Sequence, residues 1–457
     1  MVYPLRPVCQ TTRRRWQHGD AAVTLGIMTS PRRPGSADGG FLRRAGGITA
    51  LLAGLIVVLA AVGTAYGLAR TSPAAPARPV RGVALKTFRT ILDEASVQAT
   101  TRAQWVTIAR ESTVVVLNSW DYRLIPVLKH ANPRVQVWVY KDLSGVRSDD
   151  CTTRNGDCGD CGGTVTDSTL LSSGMGYCWV RRHHPNWLLT AAGTDQPLQF
   201  RGYPSNWETD YGSLAYQRQW VSNVLADVRA HGWDGVEVDN ALTKADIYGV
   251  AAKYPTNAAV QAATYSGLAE LGPAFTNAGV PAAFNVGYAT EFPGLWQRWL
   301  APVGGLIQEF YISFSAQPDA VSLAGWSQYQ DEVSSCAAQR KSCWFHAGSY
   351  SSTVTPRTRQ YALASYLLAN NSHQLLALAD MKSGPDPRRL ALGAPLGTMK
   401  QIGAAWGRFF TRGIAVVNPT DSAVTIYLGG SYLDNGHPVS VVTLRPATGL
   451  VLRAAPQ

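Results

Sequence analysis

Short apolar, β-branched or aromatic runs recur along the chain, separated by stretches with helical spacing of apolar positions. The runs are Gly82–Leu85, Thr113–Asn118, Val135–Tyr140, Gly235–Asp239, Ala282–Val286, Leu306–Phe314, Cys343–Ala347 and Gln374–Ala379. Between them the pattern predicts helices over Val97–Glu111, Tyr122–His130, Ala215–His231, Ala258–Ala278, Phe292–Leu300, Ala320–Gln339 and Thr358–Asn371. Strands alternating with helices imply parallel β-α units. Eight such units imply an α/β fold closed as a (β/α)8 TIM barrel rather than an open sheet.

The span from Gly82 to Asp380 exceeds the roughly 250 residues typical of that barrel. The excess falls in one connection, residues 142–212, which is Cys-rich and long enough to be read as functional. After Asp380 the pattern changes. Met399–Phe410 predicts one last helix. Gly413–Val417, Val424–Leu428, Val439–Leu444 and Leu450–Leu452 then predict short strands, separated by the turn signals Asn418-Pro419, Gly429-Gly430 and Asn435-Gly436. The expected organisation is a barrel over 82–398 and a helix plus small antiparallel β module over 399–457.

Charge changes the picture of the N-terminus. Of the formal net charge of +11, residues 1–81 carry +9, from eleven Arg against Asp20 and Asp38, which leaves +2 for the rest. A domain that near neutrality gives no reason to expect nucleic-acid binding. Ala45 to Ala69 contains no charged residue and at 1.5 Å per residue can cross a hydrocarbon core of roughly 30 Å. Eight Arg precede it and only Arg70 closely follows it, which orients residues 1–44 inward and the large domain outward. The expectation is a single-pass cell-membrane anchor over 45–69, a Pro/Ala linker over 70–81 and an extracytoplasmic barrel. A cleaved leader, with the Ala-rich stretch Ala74–Ala77 beyond it, is the alternative. Met28 is a second candidate start, because the basic-then-apolar signal is complete downstream of it.

Six of the seven cysteines fall beyond the anchor: Cys151, Cys158, Cys161, Cys178, Cys336 and Cys343. An even set in an oxidising compartment is read as disulfides. Cys336 and Cys343 bracket the start of a strand and are expected to pair. The pairing among the other four is left open. Cys158-x-x-Cys161 has zinc-like spacing, but disulfide formation is favoured there, and no metal or cofactor is expected.

In such a barrel the chemistry sits at the C-terminal ends of the strands. The acids there are Asp142 after the third predicted strand, Glu237 and Asp239 on the fourth, Glu309 on the sixth and Asp380 after the eighth. On the fourth strand, alternation sets Val236 and Val238 on one face and Glu237 and Asp239 on the other. The valines suit the helix side, so both acids point into the barrel, Asp239 at the mouth and Glu237 one layer deeper. Two acids across a barrel mouth are what glycoside hydrolysis needs: one protonates the leaving oxygen, and the other attacks the anomeric carbon or activates water. Trp120, Trp207 and Tyr288 are candidates for stacking on sugar, and Asn240 for binding it. There is no G-x-S-x-G elbow, Walker A loop or H-E-x-x-H segment.

At this point the sequence resembles a family. His184-Pro185-Asn186-Trp187-Leu188-Leu189, followed by Gly193–Gln196, resembles the "N-P-E-W-F-L…D-G" segment of hypothetical glycoside hydrolases with a TIM-barrel fold, themselves distantly similar to the endo-α-1,4-polygalactosaminidase type. Trp207-Glu208-Thr209-Asp210-Tyr211 and Ala215-Tyr216-Gln217 resemble their next helix opening, and Gly232–Asn240 resembles "G-x-D-G-v-f-x-D-N". Glu309 sits where those relatives carry a strand-six acid. Trp406, Arg408, Phe409 and Val417-Asn418-Pro419 resemble their closing module. The ordered set spans about Lys86 to Leu452. Glu237 stands where the family has an apolar residue, and the Cys-rich insert is a second departure. The resemblance implies a glycosidase acting on a polysaccharide or glycoconjugate. Asp239 is expected as nucleophile and Glu309 as general acid/base, with the roles exchangeable and Asp142, Glu237 or Asp380 as possible additional site acids. The competing expectation is a catalytically silent carbohydrate-binding or cell-envelope scaffold protein.

Overall fold

A computed structural model describes residues 85–149, 170–312, 323–347, 355–371, 373–378, 390 and 392–456. The basic tail, the apolar run 45–69, the linker, Cys151, Cys158, Cys161 and Asp380 lie outside the described residues. No helix among the described residues is long and apolar enough to cross a membrane.

In chain order the strands of the first sheet system are β1 (Lys86–Ile91), β2 (Val114–Leu117), β3 (Gln136–Asp142), β4 (Gly145–Arg147), β5 (Asn206–Glu208), β6 (Gly235–Asp239), β7 (Ala282–Asn285), β8 (Leu306–Gln308), β9 (Trp344–Ala347) and β10 (Leu375–Leu378). Eight of them close into a barrel in the order β1-β10-β9-β8-β7-β6-β3-β2. The pairings β1·β2, β3·β6 and β9·β10 are all parallel, as a chain of β-α units requires. The remaining two, β4 and β5, form a separate antiparallel pair within the long connection from β3 to β6.

The helices are α1 (Glu94–Ala99), α2 (Arg102–Glu111), α3 (Ile125–Ala131), α4 (Tyr177–His183), α5 (Leu214–His231), α6 (Asn257–Asn277), α7 (Leu295–Leu300), α8 (Leu323–Gln339) and α9 (Pro356–Ala369). The single helix expected over Val97–Glu111 is two. Thr101 interrupts it as the cap of α2, in a reciprocal capping box with Gln104. The stretch expected as Tyr122–His130 begins as a 3-10 turn, and Pro126 lies in the first turn of α3. Helix α5 stops at Gly232, which adopts φ 76° as a left-handed C-cap.

Among the described residues the first barrel strand runs from Lys86 to Ile91, beyond the expected Gly82–Leu85, of which residues 82–84 lie outside the described residues. Its polar residues obscure it in the sequence, and three of them have partners: Thr87 Oγ1 donates to the Glu111 carbonyl at 2.9 Å, Arg89 Nη2 to Glu111 Oε2 at 2.8 Å, and Thr90 Oγ1 to Glu237 Oε2 at 3.0 Å. The barrel floor is aromatic. The Trp344 ring lies 4.7 Å from Trp138 and 4.9 Å from Phe88. Gly235 leaves room for this packing, because a Cβ there would meet the Trp138 ring at 2.5 Å. Lys141, facing the helices, is fully buried and paired at 2.7 Å with Asp227 of α5.

The segment Met399–Phe410 is not a helix. It forms β11 (Lys400–Ile402) and β12 (Ala405–Phe410), joined through Gly403 at φ 63°. With β13 (Gly413–Asn418), β14 (Val424–Asp434), β15 (His437–Leu444) and β16 (Thr448–Ala454) they make a six-stranded sheet in the order β11-β12-β13-β16-β14-β15. Arg408 Nη1 of β12 donates to the Leu367 and Asn370 carbonyls at the end of α9 at 3.1 and 2.7 Å, anchoring the sheet on that helix. Cys336 and Cys343 form the expected disulfide, with Cα atoms 6.1 Å apart, tying α8 to the start of β9. Cys178 on α4 is also disulfide-bonded.

Candidate active site

Inward-facing residues at the ends of β3, β6, β7 and β8 converge at the barrel mouth. Asp239 is the last residue of β6 and is half-buried. Its Oδ2 accepts from the Tyr140 hydroxyl at 2.6 Å. Its Oδ1 accepts from the Asn240 backbone N–H at 2.8 Å and from Asn285 Nδ2 at 2.9 Å. Glu309 directly follows β8, and its Oε2 accepts from the same Asn285 Nδ2, also at 2.9 Å. One amide nitrogen at the end of β7 therefore spans the two carboxylates. A trigonal NH2 group with an acceptor on each hydrogen sets those acceptors about 5 Å apart. At any angle they lie no farther apart than twice 2.9 Å.

Asn240 has the left-handed φ of 57°, a conformation Asn tolerates better than most residues. This backbone turn aims its N–H back at Asp239. Its side chain is held at both ends: Nδ2 donates to Asp142 Oδ2 at 2.8 Å, and Oδ1 accepts from the Tyr248 hydroxyl at 2.9 Å. Asp142 is buried. Its Oδ1 accepts from the Ser144 and Gly145 N–H groups at 3.0 Å each, and its Oδ2 also accepts from Asn206 Nδ2 at 3.3 Å. Burial, together with the charge of Asp239, pushes the Asp142 carboxyl up to about 7. Every oxygen of Asp142 is engaged, so it acts on the site through Asn240.

Glu237 lies one layer below Asp239, as alternation along β6 requires, buried and bonded to Thr90. Burial, with Asp239 adding to it, pushes its carboxyl up to about 8, so it is protonated at neutral pH. Glu208 on β5 is likewise pushed up to about 8, by burial and then by Asp142. His346 on β9 is buried, with Nδ1 at 3.2 Å from the Glu309 carbonyl; burial lowers its pKa to about 4, leaving it neutral.

Of the other residues singled out in the sequence, Tyr288 is at the mouth. It follows β7 with φ 60°, is 37% exposed, and carries Lys244 Nζ 5.1 Å from its ring centroid. Trp120 is half-buried in the turn after β2. Trp207 stacks on Tyr177 at 5.5 Å and donates to Ser148 Oγ. It occupies the face of β5 opposite Asn206 and Glu208, so it is not brought to the carboxylates. Asp210, in the stretch that precedes α5, is tied to Lys253 at 2.6 Å and to the Tyr254 hydroxyl, and holds that loop.

Tyr140, Asn285 and Tyr248 were not anticipated from the sequence. Tyr140 precedes Asp142 by two on β3, and the same alternation that pointed to Glu237 and Asp239 could have found it. Asn285 is a lone amide ending an apolar strand between the two strands that carry the acids, which is also a readable signal.

The family model described as hypothetical glycosyl hydrolase family 15 matches residues 129–414. No curated protein matches. Several solved structures are similar. The glycoside hydrolase domain of PelA from Pseudomonas aeruginosa has 13% identity and a TM-score of 0.38, covering 65% of this chain and 96% of that one. An α-amylase from Malbranchea cinnamomea has 10% identity and a TM-score of 0.47, covering 81% and 96%. A GH27 β-L-arabinopyranosidase from Geobacillus stearothermophilus has 10% identity and a TM-score of 0.45, covering 82% and 97%.

Proposed function

The chain belongs to hypothetical glycosyl hydrolase family 15, and from that membership we propose that it is a retaining glycosidase acting on a polysaccharide or glycoconjugate outside the cell membrane. The observation that carries the stereochemical reading is the Asn285 amide between Asp239 and Glu309. Retaining enzymes hold their two carboxyl groups about 5–5.5 Å apart, whereas inverting enzymes need ~6.5–9.5 Å to admit a water. The roughly 5 Å that one amide nitrogen sets between its two acceptor oxygens favours the first reading.

Asp239 suits the nucleophile's role. Three donors converge on it, the acceptor-only pattern of a carboxylate. In the first step Asp239 attacks the anomeric carbon while Glu309 gives its proton to the departing glycosidic oxygen. In the second step Glu309 takes a proton from water, the resulting hydroxide equivalent attacks the anomeric carbon, and Asp239 leaves as a carboxylate. Asn285 holds both groups in register through these exchanges. The extracytoplasmic placement rests on the charge-free run 45–69 with its upstream arginines and on the disulfide-bonded cysteines beyond it.

The test is reducing-end release from a panel of polysaccharides and aryl glycosides, with the anomer formed first read by NMR. Retention is expected. Asp239→Asn abolishes turnover on every substrate. Glu309→Gln abolishes it on natural linkages but spares the first step on dinitrophenyl glycosides, whose leaving group needs no proton. A slow-turnover fluoroglycoside should leave a sugar covalently on Asp239. Inversion, or near-full activity of Asp239→Asn, overturns the assignment.

A further inference from the structure

We propose that Tyr203, carried by the long connection between β3 and β6, is a stacking platform for a pyranose ring and completes a sugar-binding subsite over Asp239 and Glu309. The proposal rests on the glycosidase reading of those two carboxylates. Among the described residues of the barrel and its connection, Tyr203 is the most exposed large aromatic, at 55%. An aromatic ring left open to water forgoes the stabilisation its burial would bring. Here the ring is nonetheless held in place.

The support is continuous from the ring to the nucleophile. Tyr203 meets Tyr248 edge-on, with centroids 5.8 Å apart and planes at 88°. The Tyr248 ring is stacked on Phe200 at 4.1 Å and 9°. The Tyr248 hydroxyl donates to Asn240, the residue whose backbone N–H reaches Asp239. The loop that presents Tyr203 is closed on itself. Tyr203 N donates to the Phe200 carbonyl at 3.0 Å, Asn206 N to the Tyr203 carbonyl at 2.9 Å, and Phe200 N to the Asn206 carbonyl at 2.8 Å. Gly202 takes φ 86°, which a residue with a Cβ rarely adopts. The Arg201 N–H ties the loop to the Tyr248 carbonyl at 2.8 Å.

Partial burial, and then the charges of Glu309 and Asp239, raise the Tyr203 phenol above its ordinary range, in keeping with the chain of contacts from its ring through Tyr248 and Asn240 to Asp239. In this proposal a sugar whose glycosidic bond lies between the two acids extends onto the Tyr203 ring. Pyranose rings present an apolar C–H face that aromatic rings cover, and a platform already ordered in the free enzyme costs little to recruit. The contact is remote from the reacting atoms, so it strengthens ground and transition states alike and registers in KM rather than in kcat.

The experiment compares wild type, Tyr203→Ala and Tyr203→Phe on the 2,4-dinitrophenyl glycoside that wild type hydrolyses best. Tyr203→Ala should raise KM about tenfold with kcat changed less than about threefold, the size of one lost stacking contact. Tyr203→Phe keeps the ring and should bring KM back to within about threefold. Thermal unfolding of both variants checks that the loop is intact. A wild-type KM in a stably folded Tyr203→Ala overturns the subsite while leaving the glycosidase reading standing. A KM raised as much in Tyr203→Phe as in Tyr203→Ala overturns stacking in favour of a hydroxyl contact. No hydrolysis by wild type on any aryl glycoside or polysaccharide overturns both readings.

Discussion

The Tyr140 hydroxyl donates to Asp239 Oδ2 at 2.6 Å, from one barrel strand to its neighbour. Tyr140 is half-buried, and desolvation followed by the charge of Asp239 holds its proton well above the ordinary tyrosine range. It is therefore a permanent donor to the proposed nucleophile. A hydrogen bond to a charged group is worth about 1.5–3 kcal/mol, and it also selects the rotamer of Asp239. Tyr140→Phe keeps the ring packing and removes only the donor. We expect kcat to fall by about 10- to 100-fold with little change in the melting temperature. An unchanged kcat would show that Asp239 is oriented by Asn240 and Asn285 alone.

Asn285→Asp tests the bridge. The substitution preserves shape but replaces the shared donor with a third carboxyl facing Asp239 and Glu309. Like charges at that spacing force at least one group to take up a proton. We expect activity to drop by about 100-fold or more and the acid limb of the pH–rate profile to move. Asn285→Ala leaves an unfilled site without adding charge and should be the less damaging of the two. The reverse order would mean that packing, and not donation, is what Asn285 supplies.

Asp142→Asn separates support from catalysis. All four groups around Asp142 are donors, so an amide there turns an NH2 group toward Asn240 and Asn206 or toward two backbone N–H groups. The loss should fall on kcat by about tenfold, through misplacement of Asn240. Rescue by azide or formate, which supply a missing nucleophile, should be seen in Asp239→Gly and not in Asp142→Gly. Rescue in Asp142→Gly would make Asp142 the nucleophile.

How far the sequence reached depends on whether a residue's role is written in its own strand. In Gly235–Asp239 the alternation alone separates Val236 and Val238 from Glu237 and Asp239, and the structure has that arrangement. Cys336 and Cys343 were readable because only seven positions separate them. Asn285 was not, because its meaning is a contact with Asp239, 46 positions away, and with Glu309, 24 away. The first barrel strand was misplaced because its polar residues have partners elsewhere in the chain, so its burial is invisible in a local hydropathy pattern. Over Met399–Phe410 the apolar spacing fits a helix, but a Cβ at Gly407 would meet Ile402 Cδ1 at 2.5 Å, a cross-strand packing that no local pattern reports. Tyr203 sits in a connection whose path over the barrel is set by tertiary packing.

The proposed anchor over residues 45–69 makes a prediction independent of chemistry. The full chain should require detergent for extraction, and the chain from Arg81 onward should be soluble without it. The same protein in whole cells should be cleaved by added protease on the C-terminal side of residue 69. Recovery of a protein free in the medium, cut just after the apolar run, would establish a cleaved leader instead.

Glu237 predicts how stability depends on pH. Its carboxyl is pushed from the ordinary 4.5 to about 8 in the folded protein. Below about 4.5 it is neutral both folded and unfolded, so its contribution to folding is then most favourable. Between about 4.5 and 8 the unfolded chain releases this proton while the folded chain keeps it, so the unfolded state is progressively favoured as pH rises. Glu237→Gln removes the titration and retains an acceptor for the Thr90 hydroxyl. The variant should therefore melt within a degree or so of wild type near pH 4.5 and a few degrees above it at pH 8, with the gap opening across that window. Calorimetry at four or five pH values reads this directly. A gap that is constant with pH would mean that packing rather than proton release separates the two proteins. A gap that opens in the opposite direction would mean that Glu237 is ionised in the folded barrel.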